Sequence, residues 1–297
     1  MMRSLYSGVS GLRNHQTRMD VIGNNIANVN TAGYKASRVV FQDIYSQMIK
    51  AGAAATETSG GTNPAQIGLG VTMGAIDILH TSAATQRTDN PLDLAIEGDG
   101  FFIVSKDGTE AADEENAGYF FTRAGNFYVD SNGDIVNANG MYLIGYSTDE
   151  PAATWNTENE STRGKISIIN PAAEDDDPTN RFTDISVDDT GVIWGMNANN
   201  QKVAFAKIVL ATFSNVSGLE KEGNSLYSAT GSSGPASYTV SGDGGAGRIN
   251  PGGLEMSNVD LASEFTDMIV TQRGFQANSR IITTSDSMLE ELVNLKR

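Results

Sequence analysis

A few places in this 297-residue chain carry residue types at spacings that do chemistry. Gly242-Asp-Gly244-Gly-Ala-Gly247 fits the G-x-G-x-x-G spacing of a dinucleotide site, which needs a helix directly after the glycines so that its first amides meet the pyrophosphate. Arg248-Ile-Asn-Pro251-Gly-Gly253 follows instead and cannot open a helix, so the stretch reads as a turn. Asp130-Ser-Asn132-Gly-Asp134 is laid out like a calcium loop. An EF-hand, however, places Gly sixth and Glu twelfth, where Ile135 and Met141 stand, and a hairpin turn accounts for it better. The acidic run Glu174 to Asp177, closed by Pro178, fits a solvated face better than a cation site. The two histidines, His15 and His80, have no second histidine near them and the chain has no cysteine. Zinc sites, thiolate chemistry, disulfides and Ser-His-Asp triads therefore lack their parts. Carboxylate pairs of a glycosidase stay open among 36 acidic residues, with no positive signal for them. The expectation is no catalytic residue, no cofactor and no metal.

The charge excludes further classes. Against 36 acidic residues stand 20 basic ones, a formal net charge of -16, and such a surface repels phosphate and anionic headgroups, so neither nucleic acid nor membrane is an expected partner. No apolar block follows Met1-Met2-Arg3 as in a signal peptide. The longest apolar run, Val203 to Phe213, is interrupted by Lys207 and falls short of the ~18 apolar residues of a membrane span. Export, if it occurs, is expected to bypass the general secretory route without a cleaved signal.

The elements at the two ends have a different period from the middle. Leu5, Leu12, Met19 and Ile26 recur every seven residues, with Val9 and Ile22 beside them; Leu261, Met268, Phe275, Ile282 and Leu289 do the same, flanked by Phe265, Leu292 and Leu295. The spacing predicts a helix at each end with a coiled-coil-like seam, the second opening at a capping box over Ser257-Asn-Val-Asp260. These stripes are narrow, and Gly8, Gly11 and Gly23 each weaken the first helix by up to ~1 kcal/mol. Each end is expected to need a partner, so residues 1–30 and 258–297 are assigned to one helical core. Residues 31–74, which include the Ala/Thr/Gly-rich run Lys50 to Gly70, read as an extended linker together with 248–257.

Residues 75–247 read as β. Leu92, Leu94 and Ile96 alternate before a turn at Gly98-Asp-Gly100; Asn132-Gly133, Asn139-Gly140 and Asn197 to Asn200 mark further turns between apolar runs. With 32 glycines and 7% aromatic residues, short antiparallel strands are expected, and the polar span 149–189 reads as a small exposed excursion. The fold class expected is mainly β, a central domain of short antiparallel strands with helices at both termini.

Several blocks resemble one known family. Ser4 to Lys35, ending in Asn24-Asn-Ile-Ala-Asn28-Val-Asn30-Thr-Ala-Gly33-Tyr34-Lys35, is similar to the N-terminal segment of the bacterial flagellar rod and hook proteins. Asn90 to Phe102, Phe121 to Gly140 and Ser257 to Arg297 are similar to that family's central and C-terminal blocks. Within it, Gly60 to Gly70, Phe121 to Tyr146 and the ending Leu289 to Arg297 look most like hook subunits. Only the short 149–189 span stands where hook proteins carry a larger outer domain, so the distal rod is the alternative.

The resemblance implies a non-enzymatic structural subunit of a helical tube, with itself as first partner. Rod and hook–filament junction proteins, the hook cap protein and the flagellar type III export apparatus would be the others. The terminal helices would form the tube's core and the β domain its shell, outside the cell in the flagellum. Asn24, Asn25, Asn28 and Asn30 would satisfy the helix exit and neighbouring backbone by amide hydrogen bonds, Gly33 would supply a positive-φ turn and Tyr34 an anchor. A different class, an adhesin-like surface binder, would place its function in 149–189.

Overall fold

The computed structural model describes residues 2–52, 54, 60–108, 118–152, 162–169, 181–197 and 199–295. They are mainly β with an α-helix at each end and fall into two compact units, one of 1–29, 36–79 and 259–297, the other of 30–35 and 80–258.

In the first unit, α1 (Met2–Ala27) and α2 (Leu261–Asn294) lie antiparallel. The capping box is displaced: Asp260 is the N-cap, its carboxylate accepting from Ala262 N at 3.0 Å, with Glu264 in the first turn beside the helix's positive end. Ser257 lies outside the helix. The closest helix–helix contacts run through small residues. A Cβ on Gly11 would stand 2.5 Å from Asn278 Nδ2, and one on Gly274 2.7 Å from His15 Cε1. The buried positions of α2 are Thr271 and Ser285, whose heptad also passes through Glu264 and Asn278; on α1 they are Gly8, Gly11, Ile22 and Asn25. The helices therefore approach through glycine and short polar side chains, with the apolar heptads on the flanks.

The segment expected as extended linker carries strands. β1 (Ser37–Asp43) pairs with β4 (Val71–Ile78), and β2 (Ser46–Lys50) with β3 (Ala65–Gly68), all antiparallel. Backbone bonds from Ile44 N to Gly70 O and Leu69 N to Tyr45 O join the two ladders into one ribbon. The ribbon packs along α1: Asn14 Nδ2 donates to Val71 O at 2.7 Å, and His15 meets the Phe41 ring edge-on at 6.4 Å. One covered side is enough to hold such a ribbon, so its sequence does not need a strong alternation.

The second unit is built on a twelve-stranded antiparallel sheet. Its central strand, Lys202–Thr212, pairs with Val192–Met196, Tyr142–Ala152, Phe101–Ser105 and Ser237–Val240. That strand is buried on both faces, which explains its near-continuous apolar run. The expected turns are present: Gly133 N donates to Asp130 O, Gly140 N to Asn137 O and Asn200 N to Asn197 O. Phe102, Phe127, Leu143, Ile166, Ile193, Phe205 and Ile208 fill the core.

Arg248–Pro251 pairs with Leu94–Glu97, and Gly253–Glu255 with Thr85–Arg87, so residues 248–255 are strand rather than linker. The glycine run ending at Gly247 leads directly into this strand and not into a helix. Of the 149–189 span, Thr162–Lys165 and Thr183–Val187 are strands of the same sheet; Glu174 to Pro178 lie outside the described residues.

Candidate assembly site

The apolar heptads are placed as follows. Ile22 is buried; Leu5, Leu12, Met19, Ile26, Met268, Ile282 and Leu289 are half-buried; Val9, Leu261, Phe265, Phe275 and Leu292 are exposed. Phe265 keeps 50% of its surface and Ile269 58%. On the ribbon, Ile44, Tyr45, Met48 and Ile49 are exposed as well. At about 25 cal/mol per Å², so much apolar area left to water is a strong reason for a partner to cover it.

The asparagines at the exit of α1 act locally. Asn28 Nδ2 donates to Asn24 O at 2.9 Å and to Asn24 Oδ1 at 2.6 Å, closing the last turn on itself. Asn25, 1% exposed, is the hub of the first unit. Its Oδ1 accepts from Ser37 N at 3.0 Å, while its Nδ2 donates to Ser37 O and to Glu264 Oε1, both at 2.9 Å. One neutral amide thus ties α1, β1 and α2 together. Burial raises the Glu264 carboxyl above its ordinary range, partly offset by the Asn25 hydrogen bond. Asn30 is exposed.

In the second unit, Gly33 and Lys35 are buried. Gly33 takes φ +70° and its N–H donates to Glu255 O at 2.8 Å. Tyr34 carries Lys221 Nζ over its ring at 4.8 Å. Lys35, 0% exposed, places Nζ 2.6 Å from Glu255 Oε1 and donates to Thr81 O at 2.7 Å. Arg123 Nη1 reaches Glu255 Oε2 at 3.3 Å, and Ala83 N donates to Glu255 Oε1 at 3.1 Å. Burial holds Lys35 below its usual range, while the Glu255 carboxylate pulls it back up.

The chain passes from one unit to the other at 29–30, 35–36, 79–80 and 258–259, and this network fastens Lys35, at one of those crossings, and Ala83, shortly after another, to the Glu255 carboxylate. Sequence reasoning missed it, because Lys35 and Glu255 are 220 positions apart. The available signal was a lysine directly after Gly33-Tyr34, where a helix exit turns inward.

His80 sits beside this network. Burial first, then nearby Lys35, Arg123 and Lys221, push its pKa from 6.5 down to about 4. The unfolded chain therefore takes up this proton first on acidification. The stability due to neutral His80 is complete above pH 6.5 and is lost as pH falls from 6.5 to about 4. His80→Phe is expected to flatten that part of the stability profile by about 2 kcal/mol after allowance for partial exposure, as read by urea unfolding at a series of pH values.

Known proteins match the chain along its length. The family model described as "Flagella basal body rod protein" matches residues 5–35, "Flagellar hook protein FlgE/F/G D1 domain" residues 95–195, and "Flagellar basal body rod FlgEFG protein C-terminal" residues 250–295. The flagellar basal-body rod protein FlgG of Bacillus subtilis (strain 168) is 48% identical over 299 residues, covering 100% of both chains. The chain belongs to the flagellar rod and hook protein family.

Both branches of that family are similar to it. The flagellar hook protein FlgE of Borreliella burgdorferi is 34% identical over an alignment 450 positions long, and the basal-body rod protein FlgG of the same organism 33% over 299, each covering 100% of both chains. The chain is thus a structural protein of the flagellar axis. The three matched segments contain features described above: the α1 exit with Asn25 and Lys35 in the first, part of the twelve-stranded sheet with Arg123 in the second, and Glu255 with α2 in the third.

Proposed function

We propose that this flagellar protein is the repeating subunit of the hook, a helical tube that transmits rotation through a flexible joint. The observation that carries the finer assignment is the pair of matches within Borreliella burgdorferi. The hook protein matches this chain end to end at 34% identity and the rod protein at 33%, although the hook alignment has to span a much longer partner. The second reading, a distal rod subunit, is favoured by the 48% match to a rod protein that aligns over 299 residues without a long insertion.

Under either reading, residues 1–30 with 258–297 form the tube's core and the sheet its shell. The flanks of the helix pair, with Leu5, Val9, Leu12, Met19, Ile26, Leu261, Phe265, Met268, Phe275, Ile282, Leu289 and Leu292, pack on neighbouring copies. Ile22 and Asn25 hold each pair together from within. The partners are further copies of the chain, the rod and junction proteins at its two ends, the cap and the export apparatus.

The two readings separate on imaging. In a strain lacking this chain, electron microscopy of extracted basal bodies is expected to show completed straight rods with no curved tube beyond them. Truncated rods would instead select the rod reading.

A further inference from the structure

Two side chains interlock the helix pair in opposite directions. Asn278 of α2 lies against Gly11 of α1, and one turn away His15 of α1 lies against Gly274 of α2. A Cβ on Gly274 would stand 2.7 Å from both Cε1 and Nε2 of the imidazole, so only glycine lets the ring come this close. The same ring meets Phe41 of β1 edge-on at 6.4 Å. His15 thus joins α1, α2 and the ribbon where the two axes approach, and every element it touches belongs to the first unit.

Nδ1 of that ring is buried with no hydrogen-bond partner among the described residues. The neutral imidazole therefore carries its proton on Nε2 and presents a bare lone pair at Nδ1. A second proton would add a buried donor with no acceptor and a charge with no counter-ion. The charged groups of the three elements do not supply one. Arg18, one turn along α1, acts on the ring with a charge of the same sign, and Arg13 and Asp20 on α1 are exposed. On α2, Asp267 is paired with Arg18 at 3.0 Å and Arg273 bonds to Gln276. On the ribbon, Arg38 and Asp77 pair with each other, and Asp43 is exposed. Burial first and Arg18 second hold the His15 pKa below its ordinary 6.5.

We propose that His15 is an acid-released clasp of the helix pair: neutral, it holds α1, α2 and the ribbon together, and protonated, it lets them part. The opened pair takes up the proton more readily than the closed one. The clasp is therefore complete above pH 6.5 and weakens as pH falls below it. With one proton coupled to opening, the opening constant rises by at most about tenfold per pH unit. The clasp belongs to the first unit alone and does not depend on the hook or rod assignment.

Native tubes of the unaltered chain and of His15→Gln, whose side chain stays polar but takes up no proton, are compared by hydrogen exchange between pH 7.5 and 5.5, corrected for the intrinsic pH dependence of exchange. Peptides covering Gly8 to Arg18 and Thr271 to Asn278 should lose protection several-fold on acidification in the unaltered tubes, within the one-proton limit, and should keep it in the variant. Glu264, whose carboxyl is shifted upward, is common to both and cancels in the comparison. An equal response to pH in the two overturns the proposal. Where His15→Gln does not assemble, solid-state NMR of unaltered tubes labelled with nitrogen-15 in histidine decides it: the His15 ring should titrate below 6.5, and titration at 6.5 or above overturns the clasp. An unaltered chain that forms no tubes contradicts the assembly reading instead, and the same comparison is then made on the free chain.

Discussion

Glu255→Ala is expected to remove about 3–5 kcal/mol from the stability of the sheet unit, because it leaves two cations buried with no counter-charge. Lys35 is 0%, Glu255 1% and Arg123 3% exposed, so water cannot take the carboxylate's place without opening the unit. The partners rank in a definite order. Lys35→Met removes one cation but leaves Glu255 facing Arg123 at 3.3 Å, a pair that still balances, and is expected to cost less. Glu255→Gln keeps the shape and isolates the charge, and should fall between them. Trp194 lies in the strand Val192–Met196 of the same sheet, so its fluorescence during urea unfolding reports on this unit. A loss below about 1 kcal/mol for Glu255→Ala would mean that the network is solvated in solution and does not fasten the crossings.

Gly33→Val is expected to cost about 3 kcal/mol or more and to abolish or strongly impair motility. A side chain in the left-handed region costs about 1–2 kcal/mol, and a β-branched one is the worst tolerated there. A Cβ at Gly33 would also stand 2.6 Å from both Ala124 N and Arg123 C, backbone atoms that cannot rotate aside. Moving the turn would take the Gly33 N–H from Glu255 O and shift the next residue but one, Lys35, off its carboxylate. Gly33→Ala shares the strain with less bulk and should be the milder change. Wild-type swimming by cells carrying Gly33→Val, at normal protein level, would show that the turn is not needed for a working tube.

Much of the fold was legible because the governing signals are local. Asn132-Gly133 and Asn139-Gly140 are turn chemistry that needs no knowledge of distant residues, and both close hairpins. The heptads of α1 and α2 revealed two long helices. They did not reveal which positions the two helices share: Gly8, Gly11 and Gly274 look like helix-weakening residues in a single sequence, yet they are where the axes approach. The ribbon of β1 to β4 was hidden because Ala, Thr and Gly between partly exposed strands have the composition of a linker. The cap was misplaced by three residues because Ser257 and Asp260 are both good cap formers and the local pattern does not choose between them. The network at Glu255 joins residues from four separate parts of the chain, and nothing local marks it. The apolar heptad positions were nameable from their spacing; which of them the helix pair itself would cover was not.

An electron cryomicroscopy map of native tubes, through the radial position of the two end helices, decides whether they form the core. The expected result is α1 and α2 at the smallest radius, around the channel, with Phe265, Ile269 and Leu292 covered by neighbouring copies and the sheet unit outside them. A map in which the sheet lines the channel, or in which those side chains stay in water, would contradict it.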